Sequence, residues 1–352
     1  MPIQFETTRR QKLSISTISA RRLSACIRFA RKPLLTLFLL LSAPAFSVAS
    51  AQSTWPGKPV RLIVPYPVGG STDVLARMMA NYFSSTLGQP FIVENRAGAN
   101  GNIGAAFVAK APADGYTLLL STTGPLSLNK LVYTNTPFDP VRDFAPILLV
   151  AQAPLVLVAH PSVQVATMDQ FIATVKHTPG KYTYATAGKG SMGHMAGEMI
   201  QAQTGTKILH VPYKGSTPAM NDLIAGIVDF SIDLVPTYLT QIQSGKARAI
   251  ASLGETRDPS LPDTPTLREA GIAASATGWI GLAGPAGLSA GIIDTLNRQG
   301  NHFLNSQDGR SRLDKIGLRP LGGSAAQFGK FILAELAKWQ TVAGNLSSTL
   351  NK

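Results

Sequence analysis

Val60-Arg61-Leu62-Ile63-Val64-Pro65-Tyr66-Pro67-Val68-Gly69-Gly70-Ser71-Thr72-Asp73 reads as a short apolar strand, a Pro/Gly turn and the start of a helix. The helical pattern continues through Val74, Leu75, Met78, Met79 and Phe83. Ser, Thr and Asp are residue types that cap helix N-termini. Gly69 and Gly70 let the backbone approach a ligand closely. Free N–H groups at such a helix start attract an anion through hydrogen bonds and the helix dipole. An ordinary βα turn with a capped helix has the same local sequence. On its own the stretch leaves both readings open.

Outward from it, strands and helices alternate. Strands are expected at Val60–Val64, Phe91–Glu94, Tyr116–Ser121, Leu155–Ala159, Tyr182–Ala185, Ile208–Val211, Phe230–Leu234, Ala247–Ser252 and Ile280–Ala283. Most are short continuous apolar runs, as for strands covered by helices on both faces. Helices are expected at Thr72–Thr86, Asn102–Lys110, Met168–Thr178, Ser191–Thr204, Ser216–Ala225, Thr237–Ser244, Gly291–Gln307 and Ala325–Ser347. The last carries Phe328, Phe331, Ile332, Leu336 and Trp339 and reads as a helix packing back on the first domain. No internal repeat or low-complexity linker is evident. Two stretches read as crossovers between domains: the Pro-bounded 153–161 and the Gly-flanked 276–285. Two crossings make the first domain discontinuous, 52–154 plus 276–352, with the second at 155–275. The fold class is therefore α/β, and ligands in such folds sit beyond the carboxyl ends of the strands.

The first fifty residues read as an export signal rather than part of the fold. Basic residues cluster between Arg9 and Lys32, an apolar run follows from Pro33 to Phe46, and Ala49-Ser50-Ala51 is an A-x-A cleavage site. Residues 1–51 are then a signal peptide, and the mature chain begins at Gln52. The apolar run is too short and interrupted for a transmembrane helix. The leader also distorts the charge. Of the 32 Lys/Arg and 19 Asp/Glu, it holds eight and one, so the net +13 falls to an excess of +6 on the mature chain. Its basic residues are scattered, without the basic stripe and interleaved aromatics of a nucleic-acid binder. The single cysteine, Cys26, lies in the leader, which leaves the mature chain without a disulfide or thiol nucleophile. The remaining ~300 residues suffice for two domains with separate cores.

Further motifs follow the opening one. Val93-Glu94-Asn95-Arg96-Ala97-Gly98-Ala99-Asn100-Gly101-Asn102-Ile103-Gly104 closes the second strand, and Asp114-Gly115-Tyr116-Thr117-Leu118-Leu119-Leu120 opens the third. Later come Gly190-Ser191-Met192-Gly193-His194, Val211-Pro212-Tyr213-Lys214-Gly215 and Trp279-Ile280-Gly281-Leu282-Ala283-Gly284-Pro285. In order and spacing these motifs resemble the Bug family, the periplasmic receptors of the tripartite tricarboxylate transporter type, over nearly all of the chain after the leader. The resemblance implies a two-lobed periplasmic-binding-protein fold (type II-like) with a ligand cleft between the lobes. It implies a monomeric extracytoplasmic receptor that closes by hinge motion on a small dicarboxylate, tricarboxylate, aromatic acid or amino acid, for uptake or sensing. It also implies a two-subunit membrane permease as partner. A periplasmic enzyme acting on a small acid in the same cleft is the alternative, and a scaffold or adhesin a third reading.

Each candidate site has a plainer alternative. Gly188, Gly190 and Gly193 fit G-x-G-x-x-G, but the next strand ends His210-Val211-Pro212-Tyr213 without the acid that a dinucleotide site wants. The same loop still builds an anion-binding helix start, with Ser191 as cap and the N–H groups of Met192, Gly193 and His194 exposed. By resemblance it is the second lobe's carboxylate site. His194 is open to a cleft contact or to a packed, capping role. It has no second ligand at metal-site spacing, and Ser191 lacks the G-x-S-x-G elbow of a hydrolase. Ser121-Thr122-Thr123-Gly124 ends the third strand, at the cleft by resemblance or else as a helix-capping loop. Lys214 adds positive charge or is solvated. Asp233 accepts a ligand hydrogen bond or braces its loop. Glu94, Asn95 and Arg96 form a local polar network, with Arg96 as a carboxylate clamp the sharper reading. The expected ligand-binding residues are Tyr66, Gly70, Ser71, Thr72, Ser121, Thr122, Ala187, Gly190, Ser191, His194 and Asp233. No catalytic residue, metal or cofactor is expected.

Overall fold

In the computed structural model residues 55–350 are described, with side chains to residue 340. The expected signal peptide, its cleavage site and Cys26 lie outside the described residues. Ser53–Lys352 forms one unit. Its strands are Val60–Val64 (β1), Phe91–Asn95 (β2), Thr117–Thr122 (β3), Phe144–Ala159 (β4), Thr183–Thr186 (β5), Leu209–Pro212 (β6), Phe230–Leu234 (β7), Arg248–Ser252 (β8), Thr277–Pro285 (β9) and Arg319–Pro320 (β10). Its helices are Ser71–Leu87 (α1), Asn102–Ala109 (α2), Asn129–Val132 (α3), Met168–His177 (α4), Met192–Thr204 (α5), Ser216–Ile224 (α6), Val235–Gln243 (α7), Ala290–Asn305 (α8), Gln307–Lys315 (α9) and Ala325–Leu350 (α10).

β1 pairs in parallel with β2 and β3, and β5 pairs in parallel with β6 and β7. These two parallel groups are joined by long antiparallel strands, giving the order β2-β1-β3-β9-β4-β7-β5-β6 with β8 and β10 also paired to β4. α1 buries Leu75, Ala76, Met79, Ala80 and Phe83 at helical spacing against the first group. It stops at Gly88, whose φ of 72° lets its N–H return to the Ser84 carbonyl at 3.2 Å. α10 lays Phe328, Ile332 and Trp339 inward. Its Glu335 accepts from the indole N–H of both Trp279 (3.0 Å) and Trp339 (3.1 Å). This helix packs on β4, on β9 and on residues 124–132 with its apolar stripe inward.

The chain passes between the two groups at one place. β4 pairs with β9 along residues 144–154 and then with β7 along residues 155–159. Ala276, just before β9, accepts from the Leu155 N–H at 3.2 Å and donates to the Leu253 carbonyl at 2.7 Å. Among the described residues no helix is long and apolar enough to cross a membrane.

The elements differ from the sequence pattern in three places. β4 starts at Phe144, well before Leu155. Pro146 sits at a register shift of the pairing with β9, and a second shift follows at Leu149/Ala151, as for bulges; Pro154 stands where the strand changes partner from β9 to β7. The expected helix Gly291–Gln307 is α8, Ala290–Asn305, and a second helix that was not expected, α9, follows it at once. Ser306 ends α8 and caps α9, its hydroxyl accepting the Gly309 N–H at 3.0 Å. Residues 124–132, the helix that follows Ser121–Gly124, form a turn of π-helix and then α3. Asn129 of α3 ties to the tight turn at Ala99–Gly101: Asn100 Nδ2 donates to its Oδ1 (2.8 Å), and its Nδ2 donates to Asn102 Oδ1 (2.6 Å).

Candidate functional site: a cleft between two groups of parallel strands

A cavity with about 50 Å³ of space open to a water-sized molecule lies where the carboxyl ends of the two strand groups face each other. β1 delivers Tyr66, Pro67, Gly70, Ser71 and Thr72 to its wall, and β3 delivers Thr122, Thr123 and Gly124. From the opposite side β5 delivers Ala187, Ser191, Met192 and Gly193, the α6 start Ser216 and Thr217, and β7 Asp233 and Leu234. Asn100, Leu155 and Gly278 complete it. Eight of the eleven expected residues therefore line the wall: Tyr66, Gly70, Ser71, Thr72, Thr122, Ala187, Ser191 and Asp233.

Three helices begin at this cavity: α1, α5 and α6. Their first-turn amides have no partner within the helix, and their positive dipole ends lie at the cavity. The cap of α1 differs from expectation. Gly70 occupies that position with extended backbone and makes no side-chain cap, so the hydroxyls of Ser71 and Thr72 are not used as its cap. Asp73 turns away from the cleft. It accepts the Gly69 N–H (3.0 Å), pairs with Arg77 (3.0 Å) and receives Asn95 Nδ2 (2.9 Å). At α5 Ser191 is the cap, its hydroxyl accepting the His194 N–H at 3.2 Å. This leaves the Met192 and Gly193 amides, rather than all three, for a ligand. Gly193 must be glycine: a Cβ there would lie 2.0 Å from the Ile232 carbonyl oxygen of β7.

Lys, Arg and His are absent from the described lining. Arg96 is held by Glu94 at 2.6 Å and stacks over Phe107 at 3.7 Å, so it is not a clamp on the cavity. Lys214 is exposed and outside the wall. The Tyr66 hydroxyl is 2.6 Å from Thr122 Oγ1, and burial pushes the phenol well above its usual range. Asp233 is the one acid among the described residues of the wall. Its Oδ1 accepts the Leu234 N–H at 2.7 Å, while its buried Oδ2 has no hydrogen-bond partner. Burial pushes its pKa up to about 6, and the Ser216 hydroxyl and Leu234 N–H offset this only in part.

Ser121, Gly190 and His194 stand behind the wall. Ser121 is fully buried. Gly190 takes φ 76°, and a Cβ there would meet Val132 at 2.9 Å, so the glycine serves chain conformation and packing rather than ligand approach. Its N–H donates to His194 Nδ1 at 3.0 Å. The His194 ring stacks on His210 at 4.0 Å with planes 11° apart, and its Nε2 lies 3.9 Å from Glu198. Burial, with Lys189 nearby, lowers its pKa to about 4. A neutral ring with Nδ1 as acceptor fits that shift. Of the two open readings, the geometry matches the packed one. Among the described residues no group of three or more His, Cys, Asp or Glu is placed to hold a metal.

The two sides touch over the cavity. Tyr133 OH donates to the Lys189 carbonyl at 2.7 Å, and Thr217 Oγ1 donates to the Val68 carbonyl at 3.3 Å. Pro67 sits against Gly215, where a Cβ would come within 2.3 Å of it. A pattern missed in the sequence explains this pairing. Val64-Pro65-Tyr66 followed by Gly70-Ser71-Thr72 is echoed by Val211-Pro212-Tyr213 followed by Gly215-Ser216-Thr217. The two copies are equivalent strand–loop–helix turns facing each other, and the echo would have found Ser216 and Thr217.

Two groups of parallel strands, crossed by long antiparallel strands and closed on a polar cavity, define a two-lobed solute-binding protein. Residues 75–347 match the tripartite tricarboxylate transporter family receptor. Protein BugT of Bordetella pertussis is 37% identical over 314 residues, 89% of this chain and 96% of that protein. Among solved structures, R. palustris Rpa4515 with adipate superposes with a TM-score of 0.81 at 37% identity, covering 82% of this chain and 97% of that one. The periplasmic binding protein BugD gives 0.80 at 32% identity, covering 83% and 99%. MatC (Rpa3494) from Rhodopseudomonas palustris with bound malate gives 0.78 at 29%, covering 82% and 99%. The chain belongs to the tripartite tricarboxylate transporter receptor family, and to the Bug proteins within it. It is a solute-binding receptor of two-lobed α/β fold rather than an enzyme.

Proposed function

We propose that this receptor closes on a small carboxylated metabolite and presents it to a two-subunit membrane permease. The observation that carries the reading is the convergence of three helix N-termini on a cavity lined by hydroxyls and amides with no basic side chain. Such a wall holds an anion by hydrogen bonds and dipoles, without an ion pair. That relatives were solved with adipate and malate supports a small dicarboxylate, and the same chemistry admits tricarboxylates, aromatic acids and amino acids. Tyr66, Gly70, Ser71, Thr72, Thr122, Ala187, Ser191 and Asp233 touch the ligand. Ser121, Gly190 and His194 hold their loops from behind. The lobes are 52–154 plus 276–352 and 155–275, a division supported by the change of partner of β4 at Leu155. The protein works as a monomer.

Mass spectrometry of small molecules released from the purified protein tests this reading. A stoichiometric carboxylic acid is expected, chemically unchanged after hours of incubation. A neutral ligand, or conversion of the acid, contradicts it. The leader is proposed to direct export and to be cut after Ala51. N-terminal sequencing of periplasmic protein should read Gln52-Ser53-Thr54. An intact leader, or protein held in the membrane pellet, contradicts that.

A further inference from the structure

Asp233 is out of keeping with an anion site. It ends β7 in the wall of the cavity, is only 7% exposed, and faces the same enclosed space as the helix starts of α1, α5 and α6. One oxygen is used locally, on the Leu234 N–H. The other is buried and has no partner within hydrogen-bond geometry, the Ser216 hydroxyl being the donor beside the carboxylate. A buried carboxylate oxygen without a donor is costly. A ligand made only of carboxylate groups makes matters worse, because it places a second negative charge in the same small cavity. Bracing of the loop explains Oδ1 and leaves Oδ2 unexplained. The remaining wall offers Oδ2 no cation, since Lys, Arg and His are absent from the described lining.

The missing donor can come with the ligand. We propose that this receptor selects acids carrying a hydroxyl or ammonium group beside the carboxylate, and that this group donates to Asp233 Oδ2. The selection rests on the carboxylate-receptor reading above and narrows it. The helix starts hold the carboxylate, and Asp233 reads the neighbouring substituent. Burial that raises the pKa of the acid supports this role, because pairing with a donor relieves the same desolvation.

The test uses two matched series on the wild-type protein, freed of endogenous ligand by unfolding and refolding: succinate, malate and aspartate, and adipate, 2-hydroxyadipate and 2-aminoadipate. Isothermal titration is expected to show the hydroxy or amino acid of at least one series binding about tenfold or more tighter than its unsubstituted parent, as for a charge-assisted hydrogen bond. In Asp233→Asn and Asp233→Ser the ratio should fall to about threefold or less, with the parent acid bound as well as before or better. The wild-type ranking decides the matter even if both variants misfold. Parent acids that bind as tightly as their substituted forms overturn the proposal while leaving the carboxylate receptor intact. Failure of all six acids to bind overturns this proposal; the carboxylate reading falls only if the molecule released from the protein is not an acid.

Discussion

Gly193→Ala is expected to be among the most damaging single substitutions in the chain. The added methyl would sit 2.0 Å from the Ile232 carbonyl oxygen and 3.0 Å from its carbon. Both are backbone atoms of β7, so no side chain can swing aside. Either α5 moves off the sheet or β7 bends, and overpacking of this kind costs about 3 kcal/mol. For chains of ~150–250 residues each kcal/mol shifts Tm by roughly 2–4 °C, which gives a fall of roughly 6–12 °C. Carboxylate binding should weaken as well, because the α5 amides leave their places. Gly291→Ala is the control, since a Cβ there meets nothing within 4 Å. Alanine also favours a helix over glycine, so that variant should match or exceed the wild type. A Gly193→Ala protein with unchanged Tm and affinity would show that α5 does not lie against β7 as described.

Stability is expected to fall steeply in mild acid. Burial first, then nearby positive charge, lowers His194 to about 4 and His210 to about 3. His210 also bonds Thr186 Oγ1 at 2.7 Å. A histidine lowered on folding contributes stability that is complete above its unfolded value of 6.5 and lost as pH falls toward the folded value. Asp233 acts with the opposite sign. Its folded value of about 6 lies above the unfolded 3.8, so it stabilises the fold as pH falls through 6. Two histidines outweigh one aspartate, and at ~1.4 kcal/mol per unit the net loss between pH 7 and pH 4 is on the order of 4 kcal/mol. Urea midpoints across that range check it. The double variant His194→Gln/His210→Gln should flatten the profile or reverse its slope. A wild-type midpoint constant from pH 7 to pH 4 would mean the two rings are not buried neutral.

The parts of the fold written in short-range pattern were legible from sequence. β1 and β7 fall where their apolar runs predict, and α1, α4, α5 and α6 start and stop within a residue or so of expectation. Their caps and periodicity are local. β4 was legible only in its second half. Its Pro146 sits at a register shift against β9, and its Pro154 stands where the strand changes partner from β9 to β7, both set by partners distant in sequence. The break at Ser306 turns on one side chain acting at two helix ends. For the site, the Gly-Ser-Thr and Gly-Ser-Met turns lie in the wall of one cavity, as their sequences suggest. Which glycine touches what was not legible. Gly190 answers to Val132 and Gly193 to Ile232, each distant in sequence. Asn100 reaches the wall through a buried amide network with Asn129 and Asn102, for which the sequence shows only a Gly/Asn-rich turn.

The central claim is that amides and hydroxyls at opposed helix starts hold a carboxylate. A thermal-shift comparison tests it most directly, using the acid recovered from the protein and the primary amide of that acid at equal concentration. At a hundredfold excess over Kd, a ligand that binds only the folded state adds about 2.7 kcal/mol, and each kcal/mol is worth roughly 2–4 °C. The account predicts that the acid raises Tm by several degrees and that the amide, lacking the anion, raises it far less. An amide that raises Tm as much as the acid would contradict it.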